Sequence, residues 1–146
     1  MIFSLVPCDV AGVPTEAVAT LPDMVRENAR LGAALYERCG FVPPWIGYIA
    51  VADGHAVGGG AFVGPPRDGI VEIAYYSLPE LERRGHATRT ARALVDIARN
   101  AQPGIILIAH TLPHENPSTI ILRRLGFAFH ATSEDPDEGP VWQWRM

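Results

Sequence analysis

The segment from Ile70 to Ala98, IVEIAYYSLPELERRGHATRTARALVDIA, constrains the fold of this chain more than any other. It opens with β-branched and aromatic residues, which predict a strand, and it continues into a helical pattern. From Ala87 to Ala101 the apolar residues form one stripe, while most charged residues lie on the opposite face. A strand that leads directly into an amphipathic helix predicts a sheet with helices packed on it.

Shorter patterns predict the remaining strands and helices. Asp53-Gly54 lies between two apolar runs and predicts a two-residue hairpin, which Ile70–Tyr76 extends into an antiparallel meander. The almost wholly apolar run Ile105–Ala109 predicts a strand that is covered on both faces. The chain is therefore predicted to form one α+β (mixed α/β) domain over residues 1–146. The other predicted elements are an edge strand at Ile2–Val6, helices at Leu21–Cys39 and Ser118–Arg124, and strands at Ile46–Ala52, His55–Val63, Phe127–Ala131 and Val141–Arg145.

Two segments interrupt these patterns. Gly58-Gly59-Gly60 lies inside a predicted strand and indicates either a bulge, which is the favoured interpretation, or a close approach by another backbone or a ligand. The acidic segment SEDPDEGP, residues 133–140, is interpreted as a solvated loop between the last two strands.

Composition excludes several classes of protein. A formal net charge of −4 argues against a general nucleic-acid binder, which needs clustered Lys and Arg. No run approaches the roughly 20 apolar residues of a membrane helix, and the amino terminus does not resemble a signal peptide. Cys8 and Cys39 have no metal or redox spacing and are interpreted as reduced thiols, with a single disulfide left open. The expectation is a cytoplasmic protein with no nucleic-acid or membrane partner.

The turn before the long helix has the features of an anion site. Small residues at Gly85 and Ala87 would let a ligand approach the main chain, and the first-turn N–H groups of a helix have no internal partners. Arg83 and Arg84 would add positive charge. These residues predict a phosphate or pyrophosphate site, and the alternative is a plain helix start with exposed arginines. Neither a P-loop nor a G-x-G-x-x-G dinucleotide motif is present.

Two motifs, in order, resemble those of the GNAT N-acetyltransferase superfamily. The first is Ser77-Leu78-Pro79-Glu80 followed by Glu82-Arg83-Arg84-Gly85-His86-Ala87, which is similar to V-x-P-E and [QR]-x-x-G-x-[GA]. The second is the run from His114 to Phe127, which resembles the N-x-x-S and V-L-x-K-L-G-F signature of the subgroup that includes ribosomal-protein alanine acetyltransferases. The resemblance extends from about Ile46 to the carboxyl terminus. Glu82 departs from the usual Gln or Arg, and Asn116 lies one residue closer to Ser118 than is common.

The resemblance implies a fold and a cofactor site. The fold would be a mixed sheet of about six to seven strands flanked by helices, in which Ile70–Tyr76 and Ile105–His110 splay apart. Acetyl-CoA would be the co-substrate, with its pyrophosphate on the amides of Arg84 to Thr88 and its pantetheine along the backbone of Tyr76 to Leu78. The residues expected to bind acetyl-CoA are Tyr76, Ser77, Leu78, Arg83, Arg84, Gly85, His86, Ala87, Thr88 and Asn116.

The resemblance also implies direct attack of a primary amine on the thioester. Glu72, the one acidic residue in the central strand, is the candidate base, either directly or through water; the alternative is that it pairs with an arginine or faces solvent. A main-chain amide near Tyr76 or Ser77 would stabilise the oxyanion. Ser118 is the candidate acid for the departing thiolate, and the alternative is a helix N-cap.

The acceptor is expected to be a small-molecule amine or a peptide amino terminus. Phe41 and Trp45 are the candidate acceptor-binding residues, with a core position as the alternative. His110 and His114 do not complete a ligand set, so no metal is expected. A rival interpretation is an acyl-CoA-binding regulatory domain without turnover, and a longer acyl donor and a homodimer are further alternatives left open.

Overall fold

The computed structural model describes residues 1–146, and its centre is one mixed sheet of seven strands. The strand order is β1-β2-β3-β4-β5-β7-β6, in which β4 and β5 are parallel and the other neighbouring pairs are antiparallel. This confirms the predicted mixed sheet, with β1 at one edge. The strands are β1 (Phe3–Pro7), β2 (Gly47–Ala52), β3 (His55–Phe62), β4 (Ile70–Ser77), β5 (Ile106–Thr111), β6 (Ala128–Asp135) and β7 (Gly139–Arg145).

Four helices accompany the sheet, with a short 3₁₀ turn at Pro79–Leu81. The predicted helix from Leu21 to Cys39 is two helices, because i→i−3 hydrogen bonds tighten and end the first one at Ala34 and Leu35. Gly32, a poor helix former, lies in its last turn. The helices are α1 (Asp23–Ala33), α2 (Tyr36–Cys39), α3 (His86–Ala101) and α4 (Pro117–Leu125).

The glycine triplet in β3 combines both predicted features. Ala50 pairs with Gly58 and Val51 with Ala56, so Val57 forms a bulge. A Cβ atom on Gly60 would come within 2.8 Å of Thr90 and 2.9 Å of Leu94 in α3. Gly60 therefore lets α3 lie close against the middle of the sheet, while a Cβ on Gly58 would clash with the Tyr76 carbonyl oxygen in β4.

The two faces of the sheet are covered unequally. On one face, α3 packs on β3 and β4, and the residues of β5 that point to it, Leu107, Ala109 and Thr111, are buried. On the other face, α1 packs on β2 and β3 and leaves Ile106 of β5 38% exposed. The prediction that β5 is covered on both faces is therefore wrong.

The last two strands form a tighter hairpin than predicted. Residues 133–135 and 139–140 of the acidic segment are paired in β6 and β7, and only residues 136–138 form the turn. The Asp135 carboxylate accepts hydrogen bonds from the amides of Asp137 and Glu138, so the predicted loop is an ordered turn.

Cys8 and Cys39 are both free thiols. None of the helices combines the length and the apolar character needed to cross a membrane.

The parallel neighbours β4 and β5 separate along their length, as predicted. They pair only from Ile70 to Glu72 and from Ile106 to Ile108. Beyond Glu72, β4 remains paired with β3 up to Ser77 but has no partner on its other edge. An open, unpaired strand edge inside a sheet is the feature that positions the site described next.

Candidate active site

A cavity of about 670 Å³ lies between the unpaired end of β4, the start of α3 and α4. We call it the β4–α3 cavity. It brings together Tyr76, Ser77, Arg83, Gly85, His86, Ala87, Thr88 and Ser118 of the predicted site. Arg84, Leu78 and Asn116 lie outside its lining. The other lining residues are Tyr75, Glu82, Pro117, Ile120, Ile121 and Arg124.

The start of α3 offers a row of free main-chain donors. The N–H groups of six consecutive residues, Arg83 to Thr88, donate to no other group of the protein. Positive φ angles at Arg83 (66°) and Gly85 (81°) turn the chain into the helix. The Arg89 side chain folds back and donates to the Arg84 carbonyl oxygen at 2.9 Å. Unpartnered amides at a helix amino terminus bind phosphate groups, so this turn has the donors of the predicted anion site.

Two buried polar atoms in the same cavity also have no partner. These are the Tyr75 hydroxyl and Nδ1 of His86. Burial raises the pKa of Tyr75, so its hydroxyl remains protonated, and burial together with Arg89 and Arg84 lowers the pKa of His86. Both atoms belong to residues that line the cavity but are themselves buried, so they are unsatisfied polar atoms within its wall.

The open edge of β4 presents different main-chain groups from those predicted. The Leu78 amide donates to Val57 and the Glu72 carbonyl accepts from Val63, so even-numbered residues of β4 turn their main chain toward β3. The Leu78 carbonyl accepts from Leu81, so the prediction that Leu78 offers free main-chain groups is wrong. By the same alternation Tyr76 faces β3, and Ser77 faces the open edge together with Tyr75.

The start of α4 shows how Asn116 and Ser118 differ. Asn116 is the N-cap: its Oδ1 accepts from the Thr119 amide at 3.1 Å, and its Nδ2 donates to the His114 carbonyl at 3.0 Å. The alternative role of Ser118 as the N-cap is therefore wrong. Ser118 lines the β4–α3 cavity, where its hydroxyl makes no hydrogen bond with the protein. Asn116 instead shapes the helix that carries Ser118.

Charge in this cavity is mixed. Arg83 and Arg124 line it, and so does Glu82, the residue that departs from the family motif. Arg124 was missed by the sequence prediction. The Leu-Gly-Phe motif that follows it fixed the position of α4, but the side of that helix facing the cavity depends on tertiary packing.

A second cavity of about 440 Å³ lies on the other face of the sheet, beneath α1 and α2. We call it the α1–β3 cavity. It shares two lining residues, Tyr75 and Tyr76, with the β4–α3 cavity. Its lining is mostly hydrophobic, with Val25, Ala29, Leu31 and Leu35 from the helices and Ile49, Ala61, Phe62 and Ala74 from the sheet. Local sequence patterns do not predict this cavity, because its walls come from segments far apart in the chain.

The predicted acceptor residues lie outside this lining. Trp45 is 8% exposed and packs edge-on against Phe62 in the main core. Phe41 packs edge-on against Tyr36, with ring centroids 5.0 Å apart. Tyr36 does line the cavity, and its hydroxyl accepts a 2.8 Å hydrogen bond from the Gly47 amide. Direct acceptor contact by Phe41 and Trp45 stays a prediction.

Glu72 points to the face that carries the α1–β3 cavity, since Ala74 and Tyr76 share its side of β4. Its Oε2 lies 3.0 Å from Nδ1 of His110 on β5, and Nε2 of His110 lies 3.3 Å from Nε2 of Gln143 on β7. The side chains of Glu72 and His110 are 30% and 25% exposed. The alternative of an arginine partner for Glu72 is replaced by this histidine, which strand alternation places on the same face.

The family comparison agrees with this arrangement. The model of the Acetyltransferase (GNAT) family matches residues 20–127. The chain belongs to this family. Membership confirms the GNAT fold and the predicted class of enzyme, an acetyl-CoA-dependent N-acetyltransferase.

Solved structures give the same fold at low sequence identity. An IAA acetyltransferase from Bacillus cereus is 14% identical, with a TM-score of 0.68 over 99% of this chain and 97% of that one. A ribosomal-protein-S5-alanine acetyltransferase from Vibrio fischeri is 16% identical, with a TM-score of 0.61 over 68% of this chain and 60% of that one. An aminoglycoside acetyltransferase, solved with coenzyme A and kanamycin, is 21% identical, with a TM-score of 0.59 over 68% of this chain and 64% of that one. The chain thus spans less than two thirds of the last two proteins. No curated protein sequence matches it significantly.

Proposed function

We propose that the protein transfers the acetyl group of acetyl-CoA to a primary amine by direct attack in a ternary complex. The observation that carries this proposal is that two unlike cavities share Tyr75 and Tyr76 in their linings. One has the amide donors for a pyrophosphate, and the other, on the opposite face of the sheet, is apolar. Two substrates entering from opposite faces would come together at the unpaired end of β4.

The β4–α3 cavity supports acetyl-CoA as the donor. The free N–H groups from Arg83 to Thr88 would hold the pyrophosphate, and Arg124 would add positive charge. Ser77, with its main chain on the open edge of β4, would hydrogen-bond to pantetheine as an added strand does. Bound acetyl-CoA would supply an activated acetyl group at the end of the strand that lines both cavities.

The α1–β3 cavity supports an amine that arrives partly desolvated. An apolar environment disfavours the ammonium form, so entry into this cavity would lower the pKa of the acceptor. Glu72 shares that face of the sheet but lies outside the lining of both cavities, so it is the proposed base acting through water, with His110 positioning its carboxylate. The Ser77 amide is the proposed oxyanion donor, and the Ser118 hydroxyl is the proposed proton source for the thiolate as the C–S bond breaks.

The test combines binding and turnover on the intact protein. Calorimetry with CoA and with acetyl-CoA should detect binding, and a thiol-reactive dye should detect CoA release that depends on added amine. Binding without release across a broad amine panel would instead favour an acyl-CoA-binding regulatory domain. One structural observation favours that regulatory domain, namely the carboxylate of Glu82 in the lining of the β4–α3 cavity. Absence of CoA binding would exclude both functions.

A further inference from the structure

The lining of the α1–β3 cavity is distinctive in its charge as well as in its apolar character. Of the residues that line it, Arg38 is the one that carries a charge at neutral pH. Burial raises the pKa of Cys8 to about 11 and that of Tyr48 to about 12, and it raises the pKa of Tyr36 as well, so all three stay neutral. No Asp or Glu lines the cavity. An acceptor with a second ammonium group would find no counter-charge there.

Arg38 itself has no partner within the protein. The salt bridges of the structure involve Asp23, Glu72 and Glu115, and none includes Arg38. Its guanidinium also donates to no carbonyl or side chain. Arg38 is exposed to solvent as well as lining the cavity, and its guanidinium provides a planar, two-pronged donor for a carboxylate at the rim.

Arg38 lies in α2, the short helix that packs near the end of β3. Its neighbour Cys39 contacts the chain at Gly64, just after Val63, with Sγ 3.6 Å from the position of a Cβ on that glycine. Tyr76, which lines both cavities, pairs with Gly59. Four residues of strand separate Gly59 from Val63, which is about 13 Å. An arginine side chain and a body such as one substituted aromatic ring would together span such a distance.

We propose that the α1–β3 cavity selects a primary amine with an apolar body and a carboxylate at its far end, which pairs with Arg38. This inference rests on the proposed function, because it assumes that the amine reacts beside Tyr75 and Tyr76. It excludes diamines and polyamines as good acceptors. It also assigns the cavity to the acceptor rather than to a long acyl chain of the donor.

The experiment compares three amines with the same ring: 4-(aminomethyl)benzoate, benzylamine and 1,4-bis(aminomethyl)benzene. Their far ends carry a carboxylate, no charge and an ammonium group. We expect kcat/KM with acetyl-CoA to be highest for the carboxylate, by about twofold to fivefold over benzylamine, as for an ion pair with an exposed arginine. The diamine should be the poorest of the three.

Variants of Arg38 separate recognition from general damage. Arg38→Gln should bring 4-(aminomethyl)benzoate down to the level of benzylamine, whose own turnover should change little, and Arg38→Lys should restore part of the difference. Arg30→Gln is the matched control, because Arg30 is an exposed arginine of α1 that does not line the cavity. Calorimetry of 4-(aminomethyl)benzoate on the CoA-bound protein gives a readout without turnover and should lose affinity only in the Arg38 variants.

Different results would overturn the proposed acetyltransferase function and the proposed recognition of a carboxylate by Arg38. CoA binding with no turnover of any amine would overturn the proposed function itself. Turnover of all three amines at equal kcat/KM, or an equal loss for all three in Arg38→Gln, would overturn only the carboxylate inference. Faster turnover of benzylamine with decanoyl-CoA than with acetyl-CoA would assign the cavity to an acyl chain and also contradict it.

Discussion

The two cavities that share Tyr75 and Tyr76 in their linings are built in opposite ways. The β4–α3 cavity depends on main-chain groups of one continuous turn, from Arg83 to Thr88, and it lies beside a helix with six buried residues. The α1–β3 cavity depends on side chains from α1, α2 and three strands, and α1 buries only Val25. A continuous turn is encoded locally, whereas a cavity made of distant side chains is encoded by the whole packing of the domain.

The difference suggests a division of roles. Amides can bind phosphate whatever the local side chains are, so a donor site in the β4–α3 cavity would tolerate an irregular residue such as Glu82. The α1–β3 cavity has no such row of free amides, so as the proposed acceptor site it would select the amine through its side chains. A substitution should therefore change either the KM for acetyl-CoA or the KM for the amine, and rarely both.

The largest effect is expected for Glu72→Gln. Gln keeps the size of the side chain and a contact with His110 but cannot accept a proton, so kcat should fall by about a hundredfold or more, as for loss of a general base. The Kd for acetyl-CoA, measured by calorimetry, should stay unchanged. Glu134→Gln, an exposed acid in β6, is the control. A kcat within twofold of the parent protein would mean that Glu72 only pairs with His110.

A second substitution tests the donor cavity through its main chain. Ala87→Pro removes one free N–H from the first turn of α3, where proline is tolerated in a helix. Loss of one charge-assisted hydrogen bond should raise the KM for acetyl-CoA by about tenfold to a hundredfold, with kcat at saturation little changed. Met24→Pro, at the equivalent position of α1, is the matched control. An unaltered KM would show that pyrophosphate binds elsewhere.

The same contrast between local and long-range encoding explains how much of the fold and of the candidate site could be predicted from the sequence. The hairpin at Asp53-Gly54, the helix after Gly85 and the free amides that begin it follow from local patterns, so they were predictable. The break at Ala34 and Leu35 and the open face of β5 were not, because they depend on where α1 packs. The partnership of Glu72 with His110 needed the register of two strands far apart in the chain, and only alternation in each strand hinted at it.

A smaller effect, an increase in affinity for CoA, is expected for Glu82→Gln. The Glu82 carboxylate lines the donor cavity and repels the pyrophosphate, so its removal should tighten CoA binding by about twofold to fivefold. The gain should shrink as salt is raised, because the interaction is exposed. Glu80→Gln tests whether any acid in this turn has the same effect, since Glu80 does not line the cavity. Weaker CoA binding by Glu82→Gln would instead make Glu82 a ligand.

The smallest effect is on thermal stability, and it concerns α4, the helix that forms one wall of the β4–α3 cavity. Glu115 precedes this helix, and its carboxylate accepts hydrogen bonds from Arg123, at 2.6 Å between Oε1 and Nη2, and from the Thr119 hydroxyl at 2.9 Å. These donors lower the pKa of Glu115 to about 2, with Arg123 the larger cause. A carboxylate whose pKa is lowered in the folded state stabilises the protein above its unfolded pKa, and this stabilisation is lost as the pH falls toward 2.

Glu115→Gln should therefore lower the melting temperature by about one or two degrees at pH 7, the size expected for an exposed pair. The gap to the parent protein should close between about pH 4.5 and pH 2, where the parent carboxylate becomes protonated. Glu37→Gln, an exposed acid of α2 without an ion pair, should show no such pH-dependent gap. A gap that stays constant over this range would mean that Glu115 anchors α4 through its shape and neutral hydrogen bonds rather than through its charge.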